Sequence, residues 1–73
     1  MDSRTVTTLE NGDEVVCVSQ THYALTRNGQ GLAHAKFFFA SQKWLVYRQN
    51  HPSTTKFYIS LRAAVQAMKE IAA

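Results

Sequence analysis

The pattern of apolar and polar residues changes near Ser60. Before this position, short runs rich in β-branched and aromatic residues, typical of strands, are separated by turn signals. After it, apolar residues recur at helical spacing and form one stripe, which predicts an amphipathic helix with Ser60 as its N-cap. The expected strands span residues 4–9, 14–19, 21–26, 32–40, 43–49 and 55–59, and the expected helix spans 61–72.

Two Asn-Gly pairs indicate hairpin turns, because both central residues of the favoured two-residue turn need positive φ. They are Asn11-Gly12 and Asn28-Gly29. A two-residue loop at the second pair would place Leu25 opposite Leu32. The segment 32–40 contains good helix formers and is compatible with a helix. We favour a strand, since the aromatic run 37–39 would lose rotamer freedom on a helix.

These elements predict an α+β fold, with an antiparallel meander of four to five strands followed by one C-terminal helix packed on one sheet face. The 73 residues make a single small domain. With 45% apolar and 18% charged residues, the composition is that of a folded chain. A helix of this length is marginal alone, so it must dock on the sheet.

The last predicted hairpin carries the main functional clue. If the segment 50–54 forms a symmetric five-residue turn, Arg48 lies directly opposite Lys56. Like charges opposite each other on a sheet repel. An anionic partner would relieve this repulsion, so the pair indicates a binding site for an anion.

Alternation along the same hairpin divides its residues between two faces. We expect the apolar set to meet the helix and the mixed set to stay exposed. The apolar set is Leu45, Tyr47, Phe57 and Ile59, and the mixed set is Trp44, Val46, Arg48, Lys56 and Tyr58. Cations interleaved with aromatic rings suit nucleic acid. Lys43, Arg48 and Lys56 would then take phosphates, while Trp44 and Tyr58 would contact bases or sugars. In the alternative, Trp44 and Val46 fill the core and Arg48 is a solvated edge charge.

The charge distribution also favours an anionic partner. Residues 1–14 hold one arginine against four acids, a net charge of −3, whereas residues 15–73 hold seven cations against Glu70, a net charge of +6. A basic body suits nucleic acid, with DNA favoured over RNA, or an acidic host protein.

Two other functions stay open. The run Phe37–Phe39 cannot point entirely inward on one strand, so an apolar patch that includes Phe38 is expected. With Tyr23, Phe38 would form a protein interface. A small phage- or mobile-element-type protein that binds and inhibits or modulates a host protein would use such a patch, and so would a homodimeric structural module.

The sequence favours a non-enzymatic protein without a cofactor. It has no paired-carboxylate site in the basic body, no phosphate-binding glycine loop and no nucleophile motif, so no catalytic residue is assigned. The three histidines lack metal-ligand spacing, and we assign no metal site. A single cysteine, Cys17, favours a reducing compartment. No signal peptide or membrane span is evident, and we expect a cytoplasmic protein.

The C-terminal stretch also resembles a known kind of domain. The strands around Trp44–Arg48 and Lys56–Ile59, with the alanine-containing helix that follows, are similar to the sheet-then-helix ending of AP2-type and integrase arm-type DNA-binding domains. In those families, a tryptophan and arginines on a three-stranded sheet enter the major groove, and a helix packs behind. The resemblance implies DNA contacts for Trp44, Arg48 and Lys56.

Overall fold

The computed structural model describes residues 4–73, which form one antiparallel sheet and one helix. Each strand is hydrogen-bonded to its neighbours in the chain, so the sheet is a meander in the order β1 to β6. The predicted meander with a C-terminal helix on the sheet is confirmed, and all six predicted strand segments join one sheet of six strands rather than four or five. The elements are β1 (Arg4–Thr8), β2 (Glu14–Ser19), β3 (His22–Arg27), β4 (Gln30–Phe38), β5 (Lys43–Arg48), β6 (His51–Tyr58) and α1 (Leu61–Ala72).

The helix begins and ends where the sequence predicts. The Ser60 hydroxyl accepts a hydrogen bond from the Ala63 backbone N–H at 3.1 Å, as an N-cap does. The apolar stripe of α1 packs across β3 to β6. Ala64, Ala67 and Met68 are its fully buried members.

One side of the sheet, here called the covered face, packs against α1 and forms the core. Its strands contribute Val15, Leu25, Ala33, Ala35 and Val46. Two alanines of β4, Ala33 and Ala35, and two of α1, Ala64 and Ala67, belong to this core, so small side chains dominate where helix and strand pack. The opposite side, called the open face, has no packed element against it among residues 4–73.

An ion pair fastens the end of the helix to the first hairpin. Arg27 donates two hydrogen bonds to the carboxylate of Asp13, both at 2.8 Å, and a third to the backbone oxygen of Ala72 at 3.0 Å. Asp13 is only 2% exposed. The hydrogen bonds from Arg27 hold the pKa of the Asp13 carboxyl below its usual range, although burial acts in the opposite direction. The pair therefore connects three elements that are distant in sequence.

The turn at Asn28-Gly29 has the predicted geometry, with φ of 54° and 81°. The prediction of the same turn at Asn11-Gly12 is wrong, because the connection spans residues 9–13 and Gly12 alone of the pair has positive φ.

Beyond the Asn28-Gly29 turn, the register of β3 and β4 differs from the prediction by one residue. A bulge follows the turn, so Leu25 lies opposite Ala33 rather than Leu32. The extra residue shifts every later pair of β3 and β4.

The last hairpin also differs from the prediction. Its turn is the residue pair 49–50, and β6 begins at His51 rather than near residue 55. Arg48 pairs with His51, and Lys56 pairs with Val46. The predicted opposition of Arg48 and Lys56 is therefore wrong. A bulge makes the difference, in which the Thr54 hydroxyl accepts from the Arg48 N–H and donates to the His51 carbonyl oxygen.

Candidate functional site

The structure reverses the faces that alternation predicted for the last hairpin. Val46 is 1% exposed and belongs to the core, and Trp44 and Tyr58 pack against that core from the side. Arg48 and Lys56 are exposed at the margins of the same covered face. The prediction that this mixed set forms the exposed sheet surface is wrong, and the structure agrees with the alternative in which Trp44 and Val46 belong to the core side and Arg48 is a solvated charge.

The reason for the reversal lies in the neighbouring strand. Val46 pairs with Ala35, and the next covered position of β4 is Ala33. The other set pairs with polar residues instead, since Tyr47 lies opposite His34 and Leu45 lies opposite Lys36. A helix can bury the first combination without leaving a charge unpaired, but not the second.

Two interface candidates from the sequence lie on opposite faces. Phe38 is 47% exposed and pairs with Lys43 on the open face. Tyr23 is half-buried on the covered face, where its ring meets Trp44 edge-on at 5.8 Å. Of the predicted nucleic-acid contacts, only Lys43 is on the open face.

The open face holds a row of side chains that crosses four strands. His22 of β3 lies opposite Lys36 of β4, Lys36 lies opposite Leu45 of β5, and Leu45 lies opposite Phe57 of β6. Phe57 is 53% exposed. The row thus runs from an imidazole through an ammonium group to an accessible aromatic ring.

A cluster of rings lies beside this row. The ring of His34 stacks on that of Tyr47, with centroids 5.3 Å apart and an interplanar angle of 25°. The Lys36 Nζ atom is 5.7 Å from the centroid of the same tyrosine ring, within cation–π range. His22 Nε2 lies 3.1 Å from His34 Nδ1. We call His22, His34, Lys36 and Tyr47 the ring cluster.

The hydrogen bonds of the cluster fit one arrangement of its protons. His34 Nε2 contacts Gln49 Oε1, and this amide oxygen can only accept, so Nε2 of His34 is the donor. In a neutral ring, His34 Nδ1 is then the acceptor and His22 Nε2 the donor. Burial lowers the pKa of His22 below its usual value, and His34 and Lys36 lower it further. The neutral form of His22 is therefore favoured.

The electrostatic character of the open face is positive across β3 to β6. Lys36 and Lys43 are exposed there, and the sequence contains no Asp or Glu between residues 15 and 69. Glu14, on β2, is the acid that shares this face. An anion that approaches β3 to β6 meets two ammonium groups and several rings, and no carboxylate.

Within residues 4–73, no group of three His, Cys, Asp or Glu side chains is placed to hold a metal ion. Cys17 is half-buried, and its Sγ contacts the Ser19 carbonyl oxygen at 3.3 Å. The described part of the chain contains no helix with the length and apolar character that a membrane crossing requires.

Comparison with known proteins adds no assignment. No protein-family model, curated protein or solved structure matches the chain. The resemblance to AP2-type and integrase arm-type domains therefore stays a hypothesis.

Sequence reasoning missed the ring cluster as a unit. His34 and Lys36 alternate with Ala33 and Ala35 along β4, and this alternation was visible in the sequence. It identifies which side of β4 is buried. Extending that side to β5 requires the register of β4 and β5, which pairs Ala35 with Val46 and His34 with Tyr47.

Proposed function

We propose that the protein is a non-enzymatic module that binds nucleic acid through the open face of its sheet. The ligand class is the one expected from the sequence, but the site moves to the opposite face. The observation that carries the proposal is the combination of two lysines with accessible rings where no acid is present. Lysines pair with phosphates, and rings stack on bases irrespective of sequence.

The contacts follow from the positions of the side chains. Lys36 and Lys43, on β4 and β5, would take phosphates. Tyr47 and Phe57 would contact bases, and His34 supports Tyr47 by stacking on it. We keep DNA as the favoured nucleic acid, as expected from the sequence.

A matched pair of double variants tests the site. Lys36→Gln with Lys43→Gln removes two charges from the open face, whereas Arg48→Gln with Lys56→Gln removes two from the margins of the covered face. All four side chains are exposed, and both variants lower the net charge equally. Affinity for a labelled oligonucleotide is measured by fluorescence anisotropy in a series of salt concentrations.

We expect the open-face variant to bind more weakly and to lose salt dependence. Each lost phosphate contact reduces the slope of log K against log salt by about 0.7–0.9, so two contacts reduce it by about 1.4–1.8. The covered-face variant should retain the wild-type slope. Equal loss in both variants would indicate diffuse attraction without a site, and flat binding between low and moderate salt would overturn the proposal.

Chemical-shift mapping provides an independent view of the same surface. In a titration with a short oligonucleotide, the amide signals of Lys36, Tyr47 and Phe57 should move and should recover as salt increases. Shifts confined to Trp44 and Arg48 would return the site to the covered face.

A second candidate function, binding of a host protein, is favoured by apolar exposure on the same face. Phe38 of β4 and Phe57 of β6 are exposed, and Leu45 of β5, the strand between them, is on the same face. A stoichiometric protein partner captured from nuclease-treated lysate, and lost on Phe38→Asp, would support it. Val6→Asp, at an exposed apolar residue of β1, is the matched control.

The same two variants test a homodimer. Light scattering on the eluted peak of a size-exclusion column measures the mass of the wild type. A dimer that Phe38→Asp dissociates and Val6→Asp does not would place the interface on the open face. A monomeric wild type removes this candidate.

A further inference from the structure

The shape of the open face narrows the ligand class. We infer that it binds single-stranded nucleic acid, with bases stacked on its rings, and does not enter the groove of a duplex. This inference rests on the proposed function and specifies its ligand.

The width of the binding row is the first argument. The row from His22 to Phe57 crosses β3 to β6, which is three interstrand spacings. At about 4.8 Å per spacing, the outer strands lie ~14 Å apart, and the whole six-stranded sheet is ~24 Å wide. The major groove of B-form DNA is about 12 Å wide. The row therefore exceeds the groove even before side chains are counted.

The loops that connect the strands are too short to enter a DNA groove in place of the sheet. The longest, residues 9–13 between β1 and β2, has five residues, and the turns at 28–29 and 49–50 have two each. None of them is long enough to form an arm that reaches past the sheet. Duplex recognition would thus fall to the flat face itself, which is too wide.

The types of side chain give the second argument. Direct reading of base edges in a groove relies on bidentate donors, most often arginine. The cations of the open face are both lysines, Lys36 and Lys43. The arginines of the strands that pack against α1, Arg27 and Arg48, are on the other side, where Arg27 is engaged by Asp13. The open face thus holds point charges and rings, the combination that binds unpaired bases with little sequence preference.

The resemblance noted in the sequence implies the opposite ligand, since the sheets of those families enter the major groove. The two ligands are distinguished by direct competition. A labelled single strand of about 12 nucleotides, within the ~4–16 that one such site typically contacts, is displaced by unlabelled single strand or by duplex of the same length. Both oligodeoxythymidine and oligouridine serve as single strands.

We expect either single strand to bind at least about tenfold more tightly than the duplex at equal salt. Tyr47→Leu and Phe57→Leu keep apolar volume but remove a ring, and each should weaken single-strand binding about 5- to 150-fold. Tyr47→Phe keeps the ring and should bind like the wild type. Circular dichroism and thermal unfolding verify that each variant is folded.

The possible outcomes separate this inference from the function on which it rests. If no oligonucleotide binds at low salt, both fail. If the duplex binds as tightly as the single strand, or more tightly, and binding still needs Lys36 and Lys43, the function stands and the inference fails. If Tyr47→Leu binds single strands like the wild type does, stacking is not the mode of contact, and the inference likewise fails.

Discussion

The two faces of the sheet use similar residue types for different purposes. On the covered face, the rings of Tyr23 and Phe37 surround Trp44 edge-on, and the nearest strand residues are small and buried. On the open face, His34 and Tyr47 are stacked nearly parallel beside a lysine. Edge-on packing of rings fills space in a core. Parallel rings next to a cation leave the ring edges and the positive charge accessible to a ligand.

This contrast teaches that aromatic content does not itself identify a binding face. Trp44 is the most conspicuous residue of the last hairpin, yet it packs against the core. The neighbour on the next strand is the better indicator, since it is alanine on the covered face and histidine or lysine on the open face.

The largest expected difference is in stability. Met68→Ala, at a residue of α1 with no exposed surface, should lower the free energy of unfolding by about 2–5 kcal/mol, because it leaves a cavity between helix and sheet. Phe57→Ala on the open face should cost about 1 kcal/mol or less, the value of a cross-strand pair. Urea denaturation of both variants measures the two values. Equal losses would mean that the open face is also part of the core.

The ion pair at the end of the helix should give the next largest effect. Asp13→Asn weakens the hold on Arg27 and should lower the midpoint of thermal unfolding by several degrees. The pKa of Asp13 is lowered in the folded protein, so its contribution is complete above the unfolded value of about 3.9 and is lost as pH falls.

Wild type should therefore lose stability in acid more steeply than Asp13→Asn does. Thermal unfolding of both proteins from neutral pH to about pH 3, below the ordinary aspartate pKa, tests this expectation. Glu10→Gln, in the exposed part of the same loop, is the control and should follow the wild type. Parallel acid curves for wild type and Asp13→Asn would contradict the role of the pair.

Removing the N-cap of α1, the helix on the covered face, should lower the free energy of unfolding moderately. Ser60→Ala deletes the acceptor for the Ala63 N–H and should cost about 1 kcal/mol. Ser41→Ala, at an exposed turn residue, should cost much less. Chemical denaturation measures the stability of both variants. We expect Ser60→Ala to unfold in a two-state transition with a reduced midpoint and to keep the strand signal of the folded protein.

The smallest effect concerns pH and belongs to the open face. The pKa of His22 is lowered on folding, so the unfolded chain takes up the proton first. The contribution of neutral His22 is complete above the unfolded value of about 6.5 and is lost as pH falls below it. Thermal midpoints should therefore decline between about pH 7.5 and 5.5, which bracket that value.

His22→Gln should reduce this decline, because the glutamine does not take up a proton. His51→Gln, at an exposed position of β6 outside the ring cluster, should leave it unchanged. If both variants decline as steeply as the wild type does, another group is responsible for the pH dependence.

Sequence reasoning performed best where local chemistry decides the structure. The helix bounds follow from one capping serine and one apolar stripe, and the turn at Asn28-Gly29 follows from residues that accept positive φ. It failed where extra residues change the pairing, one residue in β4 and three in β6. The bulges near Leu32 and Thr54 are not visible as a change of composition, and they decide the register of β4 and β6.

The error in the candidate site is an error of orientation, since the two sets of residues that share a face in the last hairpin are those that alternation predicts. Alternation along one hairpin gives two sets of residues but not their orientation, which depends on the adjacent strand. Once β4 and β5 are aligned, Ala35 beside Val46 marks the buried side and His34 beside Tyr47 marks the accessible side. The ligand class expected from charge does not depend on that alignment, which is why it survives the correction as a proposal.

The meander order has a consequence for how the chain folds in time. Each strand pairs only with its neighbours in the chain, so every hairpin can close over a short loop at small entropic cost. The helix is different, since its partners extend from β3 to β6. It can dock only after those strands are aligned. The hydrogen bond from Arg27 to the Ala72 carbonyl oxygen should thus form late in folding and open early in unfolding, whereas the pair of Arg27 with Asp13 can form once β2 and β3 are aligned.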